Sequence, residues 1–216
     1  MKKFIILIPV FNDWDSLIKL LENINKEIKD IPEAKFKCII VNDASTLPIP
    51  AISAPKNIDN LKLINMKENK GHARCIAYGI RYALDQEKFD HLILMDGDGE
   101  DRPEEIKLLI KKAIQEDKIS VVAKRIKRSE GFIFQTLYQA HKLLTLIFTG
   151  KNVNFGNYSC LTINDVKIIS DKASLWSSFS GSLKKNIKKL NYINSIRGLR
   201  YFGPSKMSFL KLAIHS

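Results

Sequence analysis

A chain of 216 residues with 45% apolar side chains is long enough for one domain with a sizeable core. Its three scattered cysteines, Cys38, Cys75 and Cys160, form neither a disulfide framework nor a CxxC metal pair, so they read as small buried hydrophobes. The formal net charge of +12 is unevenly placed: residues 1–101 hold 14 Lys and Arg against 16 Asp and Glu, whereas residues 102–216 hold 21 against 7, which turns the second half toward an anionic surface or substrate.

The opening run "KFIILIPV" has about seven apolar residues and no small-residue cleavage site after it, so it reads as a buried strand and not as a signal peptide. Trp14, Leu17, Ile18, Leu20, Leu21, Ile24 and Ile28 then recur at helical spacing. "FKCIIVND" and "LKLINM" are the second and third strands, and residues 71–84 form a helix with Ile76, Ile80, Ala83 and Leu84 inward. "HLILMD" is the fourth strand. Residues 103–115 form a proline-initiated helix with two glutamates in its first turn, and "ISVVAKR" is the fifth strand. Strands alternating with helices predict right-handed crossovers and a mostly parallel α/β sheet. No segment approaches the roughly 20 apolar residues of a membrane-spanning helix.

Four carboxylates, Asp96, Asp98, Glu100 and Asp101, crowd the end of the fourth strand, and "VNDAST" ends the second. The carboxyl edge of such a sheet is where ligands bind. A calcium-binding loop of the EF-hand type needs Gly at its sixth place and Glu at its twelfth; counted from Asp96, those places hold Asp101 and Lys107, so that reading is excluded. A solvated acidic turn remains open. So does a Mg²⁺ or Mn²⁺ site, in which alternation along an extended segment would turn Asp96, Asp98 and Glu100 toward one ion.

Four motifs carry a resemblance: "IPVFND" (8–13), "VNDAST" (41–46), "NKGHARCIAYG" (69–79) and "LMDGDGEDRPEE" (94–105). In this order they resemble glycosyltransferase family 2, and within it the dolichol-phosphate mannosyltransferase-like polyprenyl-phosphate sugar transferases. The resemblance implies a GT-A (Rossmann-like) fold, a UDP- or GDP-sugar donor, a Mg²⁺ or Mn²⁺ cofactor and inverting transfer. It further implies that Pro9, Phe11, Asp13, Asp43, Asp96, Gly97 and Asp98 bind the nucleotide sugar, with Asp43 on the base, and that Asp98 is the main metal ligand beside Asp96. Glu100 stands where these mannosyltransferases usually carry Gln, an added charge. Cys75 replaces the usual Ala, while His72 reads as a surface residue and Arg74 as either a phosphate contact or an exposed helix residue.

In the basic half, Arg125 aligns with an arginine that the family uses near phosphate, and a guanidinium fork suits that anion. Residues 132–149 are apolar on several faces, which suits a membrane-facing segment or core packing equally. "NFGNYSCLT" (154–162) resembles the family's strand and turn beside the acceptor, with Asn157 and Tyr158 as its polar members. Arg200, Gly203, Ser205 and Lys206 resemble the family's Arg-x-x-Gly-x-Ser-Lys segment. That segment implies an acceptor-phosphate set of Arg125, Arg200, Ser205 and Lys206, with Asp98, Arg125 and Arg200 as the catalytic groups. The division expected is a catalytic domain over residues 1–200 and an amphipathic membrane-proximal tail over 201–216. Transmembrane helices beyond Ser216 or a short natural chain would both fit this end.

Transfer to a hydroxyl needs a general base. Beyond Asp101 no Glu-Asp pair occurs in family context, and Asp165 and Glu130 are poorly placed substitutes. A phosphate acceptor is already an anion, so polyprenyl phosphate at the cytoplasmic face of a membrane is the expected acceptor; a sugar hydroxyl in glycan or lipopolysaccharide assembly is the alternative. Nucleic acid is set aside, because the chain has basic charge but no aromatic stacking motif or reader module.

Overall fold

The computed structural model describes residues 1–126 and 154–204. Seven strands form one sheet in the order β3-β2-β1-β4-β6-β5-β7. They are β1 (Lys2–Val10), β2 (Ala34–Asn42), β3 (Asn60–Asn65), β4 (His91–Leu94), β5 (Val121–Arg125), β6 (Phe155–Thr162) and β7 (Asn191–Ser195). Only β6 runs against its neighbours; the other pairs are parallel. The five strands expected from the sequence are present, each within a few residues of its expected bounds.

β1 is central, with helices on both faces, so it reads as a continuous apolar run and not as an alternating one. Its side chains still divide by parity. Phe4, Ile6, Ile8 and Val10 pack with helices α1 (Trp14–Ile28) and α3 (Ile106–Gln115). Ile5 and Leu7 pack on the other face with helix α2 (His72–Gln86), where Cys75, Ile76, Ile80 and Ala83 are buried. All three cysteines are free and buried. The expected helix over 103–115 begins as a 3-10 turn, Pro103–Glu105, before α3. Leu84 is half-buried, less inward than its spacing suggested.

Beyond β6, two eight-residue helices, α4 (Ile163–Ser170) and α5 (Phe179–Asn186), close the α2 face. Thr162 and Ser178 cap them, accepting from the amides of Asp165 and Gly181. β7 pairs in parallel with β5 at the sheet's edge, and its carboxyl end brings residues 195–201 back across the ends of the parallel strands. The apolar segment 132–149, Ser205, Lys206 and the tail to Ser216 lie outside the described residues. No described helix is long and apolar enough to cross a membrane.

Candidate active site

The carboxyl ends of β1, β2, β4, β5 and β7 meet at one edge, joined there by the start of antiparallel β6. The loops after β1 and β2 are sewn together: Asn12 accepts from the amides of Thr46 (2.8 Å) and Leu47 (3.0 Å), and its own amide donates to Ser45 Oγ (2.9 Å). Asn12 and Ala44 hold left-handed φ values of 51° and 54°, which keeps both loops tight. Pro9 is buried and Phe11 half-buried at the end of β1.

Asp43 lies only 4% exposed at the end of β2. Its two carboxylate oxygens accept from the amides of Lys70 (2.7 Å) and Gly71 (2.9 Å), and its carbonyl accepts from Asn69 Nδ2 (3.2 Å). The carboxylate expected to read a base therefore also clamps the turn that starts α2.

After β4 the chain leaves the extended path that the alternation argument assumed. β4 ends at Leu94, and Gly99 takes φ +87° in the following turn, a conformation open to glycine. A Cβ on Gly99 would also meet the Tyr201 ring at 2.5 Å, and one on Gly97 would lie 3.1 Å from the Pro9 carbonyl oxygen. The turn sends the carboxylates to separate partners. Asp96 Oδ1 lies 3.1 Å from His72 Nε2 and accepts from Asn157 Nδ2 at 3.1 Å. Asp98 Oδ1 accepts from the Glu100 amide (3.0 Å), while its Oδ2 accepts from Arg200 Nη1 (2.8 Å). Glu100 pairs with Arg197. Asp101 is buried and accepts from the Asp96 amide (2.9 Å). Among the described residues no three carboxylate, imidazole or thiol side chains converge on a point that could hold a metal. The extended geometry assumed for Asp96, Asp98 and Glu100 is replaced by a turn, which leaves the three carboxylates with different partners.

Arg200 is the hub of this edge. Its guanidinium bridges Asp98 and Asp13, and the Arg200, Asp13 and Asp98 side chains are all mostly buried. Asp13 stands at the N-cap position of α1 yet makes no capping bond, its carboxylate being turned to Arg200. The segment carrying Arg200 is itself fixed: Gly198 N donates to Glu100 O (2.8 Å), Tyr201 N to Asp98 O (3.0 Å), and Asn23 Nδ2 to Tyr201 Oη (2.9 Å). Glu105, buried, accepts from Ser195 Oγ (2.6 Å) and the Ile196 amide (3.0 Å). Arg125 packs over Gly156, where an added Cβ would lie 2.8 Å from its Nη2.

Charge sorts the acids. Burial pushes the Asp101 carboxyl well above the ordinary carboxylate range, and the Asp96 charge beside it adds to the effect. Burial acts on Asp96 in the same direction, but His72, Asn157 and Arg125 outweigh it and hold Asp96 low. Asp98 is raised by burial and by Asp96, with Arg200 and Arg197 opposing. Burial would lower His72, and the Asp96 charge overrides it to raise the imidazole.

Several expectations change. His72, read as a surface residue, is brought against Asp96. Of the two polar residues of β6, Asn157 reaches the site, but Tyr158 is buried and donates its hydroxyl to the Arg102 carbonyl (3.0 Å). Asp165 sits at the opposite edge of the sheet, where it accepts from Ser120 Oγ (2.5 Å) beside the Thr162 cap, so it is no base for this site. Asp101 was counted in the acidic cluster without a role of its own, and Arg197 and Glu105 were given none from the sequence. Their partners are distant in the chain or are backbone atoms, and no local motif marks such contacts. Ser205 and Lys206, the remaining acceptor-phosphate candidates, lie outside the described residues.

The family described as Glycosyl transferase family 2 matches residues 5–179. An undecaprenyl-phosphate 4-deoxy-4-formamido-L-arabinose transferase of Photorhabdus laumondii is 28% identical over 220 residues, covering 98% of this chain and 65% of the relative. The chain spans about half to two-thirds of the length of the curated relatives it matches. Among solved structures, glucosyl-3-phosphoglycerate synthase from Mycobacterium tuberculosis, with Mn²⁺, UDP and glucosyl-3-phosphoglycerate, superposes with a TM-score of 0.60 at 12% identity, over 94% of this chain and 73% of that one. A mannosyltransferase from Pyrobaculum calidifontis, with GDP-mannose and Mn²⁺, gives 0.58 at 15% identity, over 90% and 55%. At these identities the two structures speak for the fold, which is the GT-A fold.

Proposed function

This chain belongs to glycosyl transferase family 2, and on that premise we propose that it moves a sugar from a nucleoside-diphosphate sugar to a polyprenyl phosphate with the help of a divalent ion. The observation that carries the reading is Arg200, a guanidinium built into the floor of the acidic edge and bridging Asp13 and Asp98. Such a group can exchange a carboxylate for a phosphate by the same two-pronged hydrogen bonding. The relatives' names support the acceptor class, and the ions in the two solved structures support the metal.

The donor set suits a hard cation, since Mg²⁺ and Mn²⁺ take one or two carboxylates and complete their shell with phosphate oxygens. Asp98 and Asp96 would hold it, with Glu100 tied to Arg197 as an outlying charge. When bound, the ion would neutralise the leaving nucleoside diphosphate. Pro9, Phe11, Asp13, Asp43 and Gly97 would bind the nucleotide, with Asp43 at its base. Arg200 and Arg125, with Ser205 and Lys206, orient the acceptor phosphate for in-line attack. No base is required, because the acceptor oxygen already carries its charge.

Beside Arg200 the described surface carries apolar side chains: Ile196, Leu199 and Phe202 are 53%, 79% and 51% exposed. An apolar rim next to a phosphate-binding arginine is what an acceptor with a lipid tail would meet. We place the protein at the cytoplasmic face of a membrane, with residues 1–200 catalytic and 201–216 membrane-proximal. The test is transfer from a panel of radiolabelled UDP- and GDP-sugars to polyprenyl phosphate or to soluble sugars, with Mn²⁺ or EDTA. Metal-dependent label in the lipid phase is expected. Label in soluble sugar alone would overturn the acceptor, and turnover unaffected by EDTA would overturn the metal.

A further inference from the structure

We propose that His72 is a positioning residue for the donor site, holding Asp96 in the orientation in which it meets the metal or the ribose. The inference rests on the reading of the site given above. Three side chains from three elements close a triangle: His72 Nε2 lies 3.1 Å from Asp96 Oδ1 and 2.9 Å from Asn157 Nδ2, and Asn157 Nδ2 lies 3.1 Å from the same Asp96 oxygen. Both contacts to Asp96 fall on Oδ1, and the Asp96 side chain retains 25% of its surface, so Oδ2 is the oxygen assigned to a ligand.

His72 is well placed to hold another group still. It is the first residue of the 15-residue α2, whose buried Cys75 and Ile76 lock that end onto the sheet. The two residues before it, Lys70 and Gly71, give their amides to Asp43. One four-residue stretch, 69–72, therefore ties the acid that ends β2 to the acid that follows β4. The two carboxylates proposed to grip the base and the metal end of a donor are kept in register by a single turn. A ligating carboxylate that is free to rotate must be ordered on binding, and partners of this kind typically carry 10–100-fold of metal affinity or activity.

Mn²⁺ affinity of the full chain, followed by electron paramagnetic resonance in the presence of UDP or GDP, tests the role without turnover. His72→Ala should weaken Mn²⁺ binding about 10–100-fold. His72→Gln, which places an amide nitrogen near the same position, should recover most of that loss. The donor KM should rise with the metal constant while kcat at saturating donor and metal changes little, because positioning is lost and not a reacting group. A thermal midpoint lowered in His72→Ala with Mn²⁺ affinity unchanged would overturn the proposal and leave His72 a structural residue. Asp98→Asn run in parallel separates the two readings. If Asp98→Asn abolishes metal binding and His72→Ala does not weaken it, only the positioning role fails. If neither changes it, the metal site itself is wrong.

Discussion

Asp43, proposed to read the base of the donor, already has a structural task. Its carboxylate accepts from two consecutive backbone amides, Lys70 and Gly71, at 2.7 and 2.9 Å in a buried position. Hydrogen bonds to a charged acceptor are worth about 1.5–3 kcal/mol each, and a buried donor left without its partner costs a comparable amount. Asp43→Asn keeps one acceptor oxygen and turns an NH₂ group toward the other amide. It should therefore lower unfolding free energy in urea by about 1–3 kcal/mol as well as weakening nucleotide binding. A variant of unchanged stability with weaker nucleotide binding would show that the carboxylate serves the base alone. Resemblance marked Asp43 as a site residue, but the clamp was not legible, because its partners are backbone atoms 27 and 28 residues away. His72 was missed for a similar reason. Nothing in "NKGHARC" says that the fold will lay its imidazole against Asp96.

At the scale of elements, the acidic turn 96–101 and the returning segment 195–201 behave as one unit. Arg200 on Asp98, Arg197 on Glu100 and the amides of Gly198 and Tyr201 on carbonyls of the turn join them, and Glu105 anchors the entry to the segment. Arg200 thus supplies positive charge at the carboxylate proposed to hold the ion. On the proposed reading an ion held by Asp98 would compete with Arg200 for Oδ2, and a displaced guanidinium would be available to a phosphate. Removing it should have opposite effects on the two steps. Arg200→Ala should bind Mn²⁺ more tightly than wild type when no nucleotide is present, measured by calorimetry, and should lose most transfer to polyprenyl phosphate. Weaker or unchanged Mn²⁺ binding would mean that Arg200 does not compete for the site. Strands β1 to β5 and helices α1 to α3 could be read from the sequence because each carries a short apolar or alternating run bounded by turn residues, or a full helical stripe. Helices α4 and α5 span two turns each, and β7, "NYINS", is a half-exposed edge strand rich in Asn and Ser. Their place is set by the sheet that precedes them, which no local pattern announces.

For the whole molecule, the division of charge in the sequence matches a division of labour along the sheet. The first half, near neutral, supplies the acids at the carboxyl edge. The second half, with 21 Lys and Arg against 7 Asp and Glu, supplies Arg125, Arg197 and Arg200. Basic residues close to an anionic bilayer contribute about 1 kcal/mol each, and the attraction fades within a Debye length, about 10 Å at 0.1 M salt. The exposed Ile196, Leu199 and Phe202 lie in the same stretch as Arg200, so the face that charge would draw to the membrane also presents apolar side chains and the proposed acceptor arginine. The purified chain should co-sediment with anionic liposomes at low salt and be largely released as salt rises, leaving a smaller salt-resistant fraction held by apolar contact. Leu199→Ser combined with Phe202→Ser should reduce that salt-resistant fraction and leave Mn²⁺-dependent nucleotide binding in place, since both side chains point to solvent. No binding to anionic liposomes at low salt would remove the membrane from the picture. A salt-resistant fraction untouched by the double substitution would assign the apolar contact to a different part of the chain.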